Sequence, residues 1–243
     1  MNSPPTNNAA DSRELVVVLH GLNVTHHTMA RLARALGEAG YDVVNRTYPS
    51  RTMPIERIAT EWLPALLKER NAGAAPRVHF VTHSMGGILA RLWLREKGAP
   101  ANIGRIVMIA PPNHGSEVPD HFRGRGNRLR ALFRFVASAN AGQLGTDDES
   151  VPRKLSRGKF PADVELGVIA GNRWVNPFFL SWFKGENDGT VSVASTRLDG
   201  MRDHVVMPHS HTGIVMRRAV AEQTLHFLRE GKFMHKANRR KSI

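Results

Sequence analysis

The chain has 243 residues, of which 34 are basic and 21 acidic, so its formal net charge is +13 at pH 7. This length is sufficient for one full-sized domain with a buried pocket. There is no cysteine, which excludes a disulfide scaffold, an iron–sulfur cluster, a thiolate zinc site and a thiol nucleophile.

Residues 1–13 are polar, and they lack the basic start and the apolar core of a secretory signal. We therefore expect a flexible N-terminal segment. No window approaches the roughly 18 uninterrupted apolar residues of a membrane-spanning helix. The sequence thus predicts a cytoplasmic protein.

From residue 14 onward, short apolar runs alternate with segments of helical periodicity. Predicted strands cover residues 15–19, 41–48, 78–82, 103–110, 164–170 and 205–207. Predicted helices cover residues 29–39, 55–70, 89–97 and 212–229. This alternation indicates an α/β fold in which helices cover both faces of a mostly parallel central sheet.

The alternation is interrupted by about 50 residues, 113–163, which is longer than an ordinary connection and predicts either a functional cover or a mobile segment. Within it, residues 128–137 have helical spacing, with apolar side chains on one face and arginines on the other. Such a helix could cap a pocket or lie on a lipid surface, or it could simply pack on the domain.

Ser84 directly follows a predicted buried strand and precedes Met85, Gly86 and Gly87. A serine at a sharp turn from strand to helix presents its hydroxyl above the sheet, and small neighbours make room for that turn. Thr82 stands where the G-x-S-x-G pattern has its first glycine. We interpret Ser84 as a nucleophile, with an ordinary serine at a helix start as the alternative.

A serine nucleophile requires a base and a carboxylate that orients the base. Asp188 and His211 follow the next two predicted strands, so the order Ser, Asp, His places all three at one sheet edge. Asp188 also lies in an Asn-Asp-Gly sequence, which strongly favours a turn, so the alternative is that Asp188 is an ordinary turn residue. His209 and His204 are the alternative bases.

Backbone amides are the expected donors to a tetrahedral oxyanion. We predict that they are the amide of Met85, just after the nucleophile, and the amide of Leu22, in the loop after the first strand. The amide of Asn23 is a second candidate in that loop. The histidines do not form a metal-binding pattern with carboxylates, so neither a metal nor a cofactor is expected.

These motifs resemble serine esterases and lipases of the α/β-hydrolase fold, notably small lipase-like members with a His-Ser-Met-Gly-Gly elbow. The resemblance covers nearly the whole chain, through residues 20–22, 82–87, 110–116, 188–191 and His211. It implies that Ser84 is the nucleophile, Asp188 the acid and His211 the base of an ester hydrolase without a cofactor. It also implies a lid-like insertion at 113–163, since such relatives carry lids after their sixth strand.

The expected organisation is a flexible segment 1–13, a hydrolase domain 14–230 and a basic tail 231–243. The expected partner is a small-molecule ester or a lipid. Two basic segments could also contact an anionic membrane, although such a basic patch is more often a solvated surface that aids solubility. They contain Arg123, Arg125, Arg128, Arg130 and Arg134, and Lys232, Lys236, Arg239, Arg240 and Lys241.

No specific nucleic-acid motif is present, and the sequence leaves the oligomeric state open. The alternatives to an esterase are an acyltransferase or amidase on the same fold, or a non-catalytic protein that binds lipid or nucleic acid through its basic segments.

Overall fold

The computed structural model describes residues 13–123, 138, 140–174 and 182–235. In these ranges six strands form one sheet in the order β2-β1-β3-β4-β5-β6, and every pairing is parallel. The strands are β1 (Leu15–Leu19), β2 (Asp42–Asn45), β3 (Val78–His83), β4 (Ile103–Ile109), β5 (Leu166–Gly171) and β6 (Asp203–Met207). Their carboxyl ends share one edge, where the loops after β1, β3, β5 and β6 meet.

Helices cover the two faces of this sheet. They are α1 (Ala30–Glu38), α2 (Ile55–Arg57), α3 (Leu63–Glu69), α4 (Met85–Lys97), α5 (Glu117–Arg123), α6 (Val151–Ser156), α7 (Val193–Thr196) and α8 (Arg218–Glu230). Within the described ranges, no helix is long and apolar enough to cross a membrane.

The sheet separates two apolar cores, because successive side chains of a strand point to opposite faces. On β3, Phe80 packs in the core that α4 covers, and Val81 packs in the core that α1 and α8 cover. All residues of β1, β3 and β5 are buried, which explains their continuous apolar runs. The predicted α/β architecture is confirmed.

The predicted helix at 55–70 is interrupted by a π-helical turn, Ile58–Trp62, between α2 and α3. Pro64 lies in the first turn of α3 and has no N–H to donate, so a regular helix cannot continue through it. The predicted strand at 41–48 is shorter than expected, since only Asp42–Asn45 pairs with β1. The backbone amide of Tyr48 donates instead to a histidine side chain.

Two other helix boundaries differ from the sequence prediction. The helix predicted at 89–97 begins at Met85, directly after Ser84. The helix predicted at 212–229 begins only at Arg218, after a short 3-10 helix at Ile214–Met216. His211 therefore lies in a loop, and the 3-10 helix separates it from α8.

The interruption at 113–163 follows β4, the fourth strand along this chain, and includes α5 and α6. The amphipathic helix predicted at 128–137, with Arg128, Arg130 and Arg134, lies outside the described residues, as does Arg125 before it.

The packed chain continues beyond Glu230. Phe233 is buried against Phe227 of α8, with ring centroids 4.8 Å apart. Its amide donates to Asp203 Oδ2 over 2.7 Å. Residues 236–243, with the remaining basic tail, lie outside the described residues.

Candidate active site

The backbone at Ser84 has φ 52° and ψ −121°, an unusual conformation for a residue with a side chain. It joins the end of β3 to the first residue of α4, so the serine stands at the carboxyl edge of the sheet. The Ser84 amide donates to Ile109 O over 2.9 Å, which holds the turn against β4. This is the sharp strand-to-helix turn that the sequence predicted.

Close packing leaves little room for a side chain at the two glycines after the turn, and least at Gly86. A Cβ at Gly86 would lie 2.6 Å from Leu19 O and 2.9 Å from His20 O. A Cβ at Gly87 would lie 3.3 Å from Thr82 Oγ1. The threonine in place of the usual glycine is therefore accommodated partly because Gly87 has no side chain.

Ser84, His211 and Asp188 are connected by two hydrogen bonds. His211 Nδ1 lies 2.7 Å from Asp188 Oδ2, and His211 Nε2 lies 3.0 Å from Ser84 Oγ. Since a carboxylate only accepts, Nδ1–H donates to Asp188 and Nε2 is left to accept from the serine hydroxyl. The structure thus brings the three predicted residues together in the order that proton transfer from the serine needs.

The carboxylate of Asp188 is fixed by its own turn. Its Oδ1 accepts hydrogen bonds from the amides of Thr190 and Val191, over 2.9 and 2.8 Å. The His211 amide also donates to Asp188 O over 3.0 Å. Asp188 therefore shapes the Asn-Asp-Gly turn and contacts the histidine at the same time.

Neither alternative histidine takes the position of His211. His204 lies on β6, where its Nε2 is 3.1 Å from Thr196 Oγ1, and burial lowers its pKa to about 4. The carbonyl of His209 accepts from the Arg173 amide over 3.2 Å. Burial and the nearby Arg217 guanidinium lower the pKa of His209.

The loop after β1 is held by the buried histidine His20. His20 Nδ1–H donates to Gly21 O over 2.7 Å, and His20 Nε2 accepts from the Tyr48 amide over 3.2 Å. Burial lowers the pKa of His20, which favours this neutral form. Because N–H and C=O of a trans peptide point in opposite directions, the Leu22 amide points away from His20.

The two candidates for the second amide donor differ in their surroundings. The Asn23 amide donates to Ser50 Oγ over 3.3 Å. Leu22 instead lines the cavity that contains Ser84. The amide of Met85 belongs to the first turn of α4, where N–H groups have no partner within the helix.

His83 is a second residue whose role the sequence did not reveal. Its Nε2–H donates to His211 O over 2.9 Å, and its ring centroid lies 4.9 Å from that of His211. Burial, followed by the proximity of His211, lowers the pKa of His83 to about 3. His83 is thus neutral and supports the backbone of the loop that carries His211.

A cavity of about 220 Å³ lies over Ser84 and His211, and most of its walls are apolar. The interruption at 113–163 contributes part of the wall, through Pro119, Ala141 and Leu144 among others. Ser116, also in the wall, donates to Thr190 O over 2.6 Å and so joins this segment to the Asp188 turn.

A buried arginine joins the same segment to α4. Arg91 Nη1 donates to Asn113 O and Oδ1, over 2.9 and 3.1 Å, and Arg91 Nη2 to Ser156 Oγ over 3.3 Å. Burial lowers the pKa of Arg91 to about 10. His20, His83 and Arg91 each act over long sequence separations, so no local pattern could have identified their partners.

A comparison with family models matches residues 16–224 to the alpha/beta hydrolase family. A triacylglycerol lipase of Pseudomonas fragi is 28% identical over 120 residues. That match spans 47% of this chain and 40% of the lipase, so it covers less than half of either protein.

Solved structures show the same fold. The mature form of a Bacillus licheniformis lipase superposes with a TM-score of 0.65 and 21% identity, over 90% of this chain and 92% of the lipase. A phospholipase from Legionella pneumophila superposes with a TM-score of 0.59 and 20% identity, over 76% of this chain and 45% of the phospholipase.

Proposed function

Since the chain belongs to the alpha/beta hydrolase family, whose model spans residues 16–224, we propose that it hydrolyses carboxylic esters through an acyl-enzyme on Ser84. The observation that carries this proposal is the chain of hydrogen bonds from Ser84 Oγ through His211 to Asp188, beside an apolar cavity. The lipases and the phospholipase among the similar proteins support an ester as the substrate class.

In the first half of the reaction, Ser84 Oγ attacks the ester carbonyl carbon while its proton moves to His211 Nε2. Asp188 stabilises the imidazolium that forms. The amides of Leu22 and Met85 donate to the oxyanion of the tetrahedral intermediate, and each such donor lowers the barrier by roughly 3 to 4 kcal/mol. The intermediate collapses, the C–O bond to the alcohol breaks, and His211 returns the proton to the leaving oxygen.

In the second half, a water molecule takes the place of the alcohol. His211 removes a proton from the water as the water oxygen attacks the acyl carbon, and Ser84 leaves with that proton when the acid is released. The apolar walls, to which Pro119, Ala141 and Leu144 contribute, suit the acyl chain. No step needs a cofactor.

The test combines a fluorophosphonate probe with hydrolysis of p-nitrophenyl esters of increasing chain length. We expect the probe to label Ser84, and Ser84→Ala and His211→Ala to lower kcat by at least about 10⁴-fold. His209→Ala is the matched control, because this histidine lies two residues from His211 and has no bond to Ser84. Absence of labelling and of turnover in the wild type would contradict the proposal.

A further inference from the structure

Large apolar side chains are exposed beside the loop that carries His211. In the described ranges, three large hydrophobic residues are exposed: Trp174 by 41%, Met216 by 47% and Met234 by 44%. Met216 lies five residues after His211. Trp174 lies against the turn of Asp188, since a Cβ at Gly189 would be 3.6 Å from Trp174 Cβ. Two of the three thus flank the candidate active site.

Exposed arginines accompany both of these apolar residues. The Arg173 amide donates to His209 O, and Arg217 Nη2 lies 3.9 Å from the position of a Cβ at Gly213. Arg31, on α1, lies beside Met216 and Arg217. None of these three arginines forms an ion pair with any residue in the part of the chain that the structure describes. Two acids next to these segments already have partners: Glu222 pairs with Arg218 over 2.8 Å, and Glu186 accepts from Asn172 over 3.0 Å.

A second cavity, of about 210 Å³, opens between α1 and the start of α8. Its walls include the buried apolar residues Leu32 and Val215 as well as Arg31 and Arg217. Val215 also lines the cavity over Ser84. An apolar recess bordered by guanidinium groups therefore adjoins the candidate active site.

We propose that the basic rim, formed by Arg31, Arg173, Trp174, Met216 and Arg217, docks on an anionic lipid surface. Unpaired arginines attract anionic headgroups, while an exposed tryptophan and methionine can enter the boundary between headgroups and acyl chains. The occupant is a lipid surface because exposed apolar and cationic side chains are adjacent at two places beside the candidate active site, Trp174 next to Arg173 and Met216 next to Arg217 and Arg31. This proposal does not depend on the proposed ester hydrolysis.

The test is co-sedimentation with vesicles of phosphatidylcholine alone or mixed with phosphatidylglycerol, at low and at high salt. The Ser84→Ala protein is used, so that hydrolysis of the lipid does not affect the result. We expect binding to the mixed vesicles that weakens with salt. Each of Arg31→Gln and Arg217→Gln should lower the partition coefficient about fivefold, and Met216→Ser should also lower it.

Matched controls lie at the opposite edge of the sheet. Met234→Ser removes an equally exposed methionine near Asp203, where β6 starts, and Arg77→Gln removes an exposed arginine just before β3. The controls should bind like the parent. Binding to anionic vesicles that is the same in rim and control variants, or equal binding to the neutral vesicles, would overturn the proposal. Circular dichroism and urea denaturation of each rim variant verify that it is folded.

Discussion

At the scale of single residues, the orientation of His211 depends on one carboxylate oxygen. Asp188 Oδ1 is occupied by the amides of Thr190 and Val191, and only Oδ2 faces the histidine. The two oxygens therefore have separate tasks, one structural and one toward His211. A side chain that keeps the shape of Asp188 but changes its hydrogen-bonding pattern separates these tasks.

We expect Asp188→Asn to lower kcat by about 10⁴-fold with little change in KM. An asparagine can keep its oxygen toward the two amides, and its NH₂ group then faces His211 Nδ1. The histidine must in that case carry its proton on Nε2 and cannot accept from Ser84. Steady-state kinetics with a soluble ester, together with circular dichroism to verify folding, provide the measurement. A kcat within tenfold of the wild type would contradict this role.

At the scale of elements, the close packing of α4 on β1 determines where Ser84 stands. Gly86 lies against the carbonyls of Leu19 and His20, the residues that lead into the candidate oxyanion loop. The position of Ser84 and the position of that loop are thus coupled through one close contact, at a residue that has no side chain.

We expect Gly86→Ala to lower the free energy of unfolding by about 2 to 4 kcal/mol, because its Cβ would lie 2.6 Å from a backbone oxygen that cannot move aside. Gly37→Ala is the matched control. A Cβ at Gly37, in α1, would have no neighbour within 4 Å, so this change should be neutral or stabilising by up to about 1 kcal/mol. Urea denaturation of the three proteins checks both values, and equal effects of the two substitutions would refute the packing argument.

The sequence could predict the elements that carry chemistry because their signals are local. Buried parallel strands appear as short apolar runs, and the turn at Ser84 is indicated by its neighbouring glycines. The supports of the site are not local. His20 meets Tyr48 28 residues later, and His83 meets His211 128 residues later. The helix predicted at 55–70 is interrupted for another reason. Its apolar periodicity does not show that the backbone forms a π-helical turn before Pro64.

At the scale of the whole molecule, buried neutral histidines make the fold sensitive to acid. Burial lowers the pKa of His83 to about 3, against 6.5 for an unburied histidine. Between these values the unfolded chain binds a proton that the folded chain does not. The contribution of neutral His83 to the free energy of unfolding is therefore complete above pH 6.5 and is lost as the pH falls toward 3.

We expect the free energy of unfolding to decrease below pH 6.5, with His83 contributing up to about 1.4 kcal/mol per pH unit. His204, whose pKa is lowered to about 4, adds to the decrease in the same direction. Urea denaturation at pH 7 and at pH 5 measures the effect. His83→Gln should reduce the difference between the two pH values, and an identical difference in this variant would show that His83 does not titrate on unfolding.

The packing of Phe233 has a consequence for the order in which the protein assembles during synthesis. From β3 onward, each new strand of the sheet pairs with one that the ribosome has already made. A Cβ at Gly167, on β5, would lie 2.6 Å from the ring of Phe227 and 2.7 Å from that of Phe233. Both rings therefore cover a strand made about 60 residues earlier. The sheet can add strands as translation proceeds, but the face of β5 that packs against these rings is fully buried only after residue 233 has emerged. A nascent chain that stalls between His211 and Phe233 would carry Ser84, Asp188 and His211 and still expose part of its core, so a chaperone could protect it in this interval.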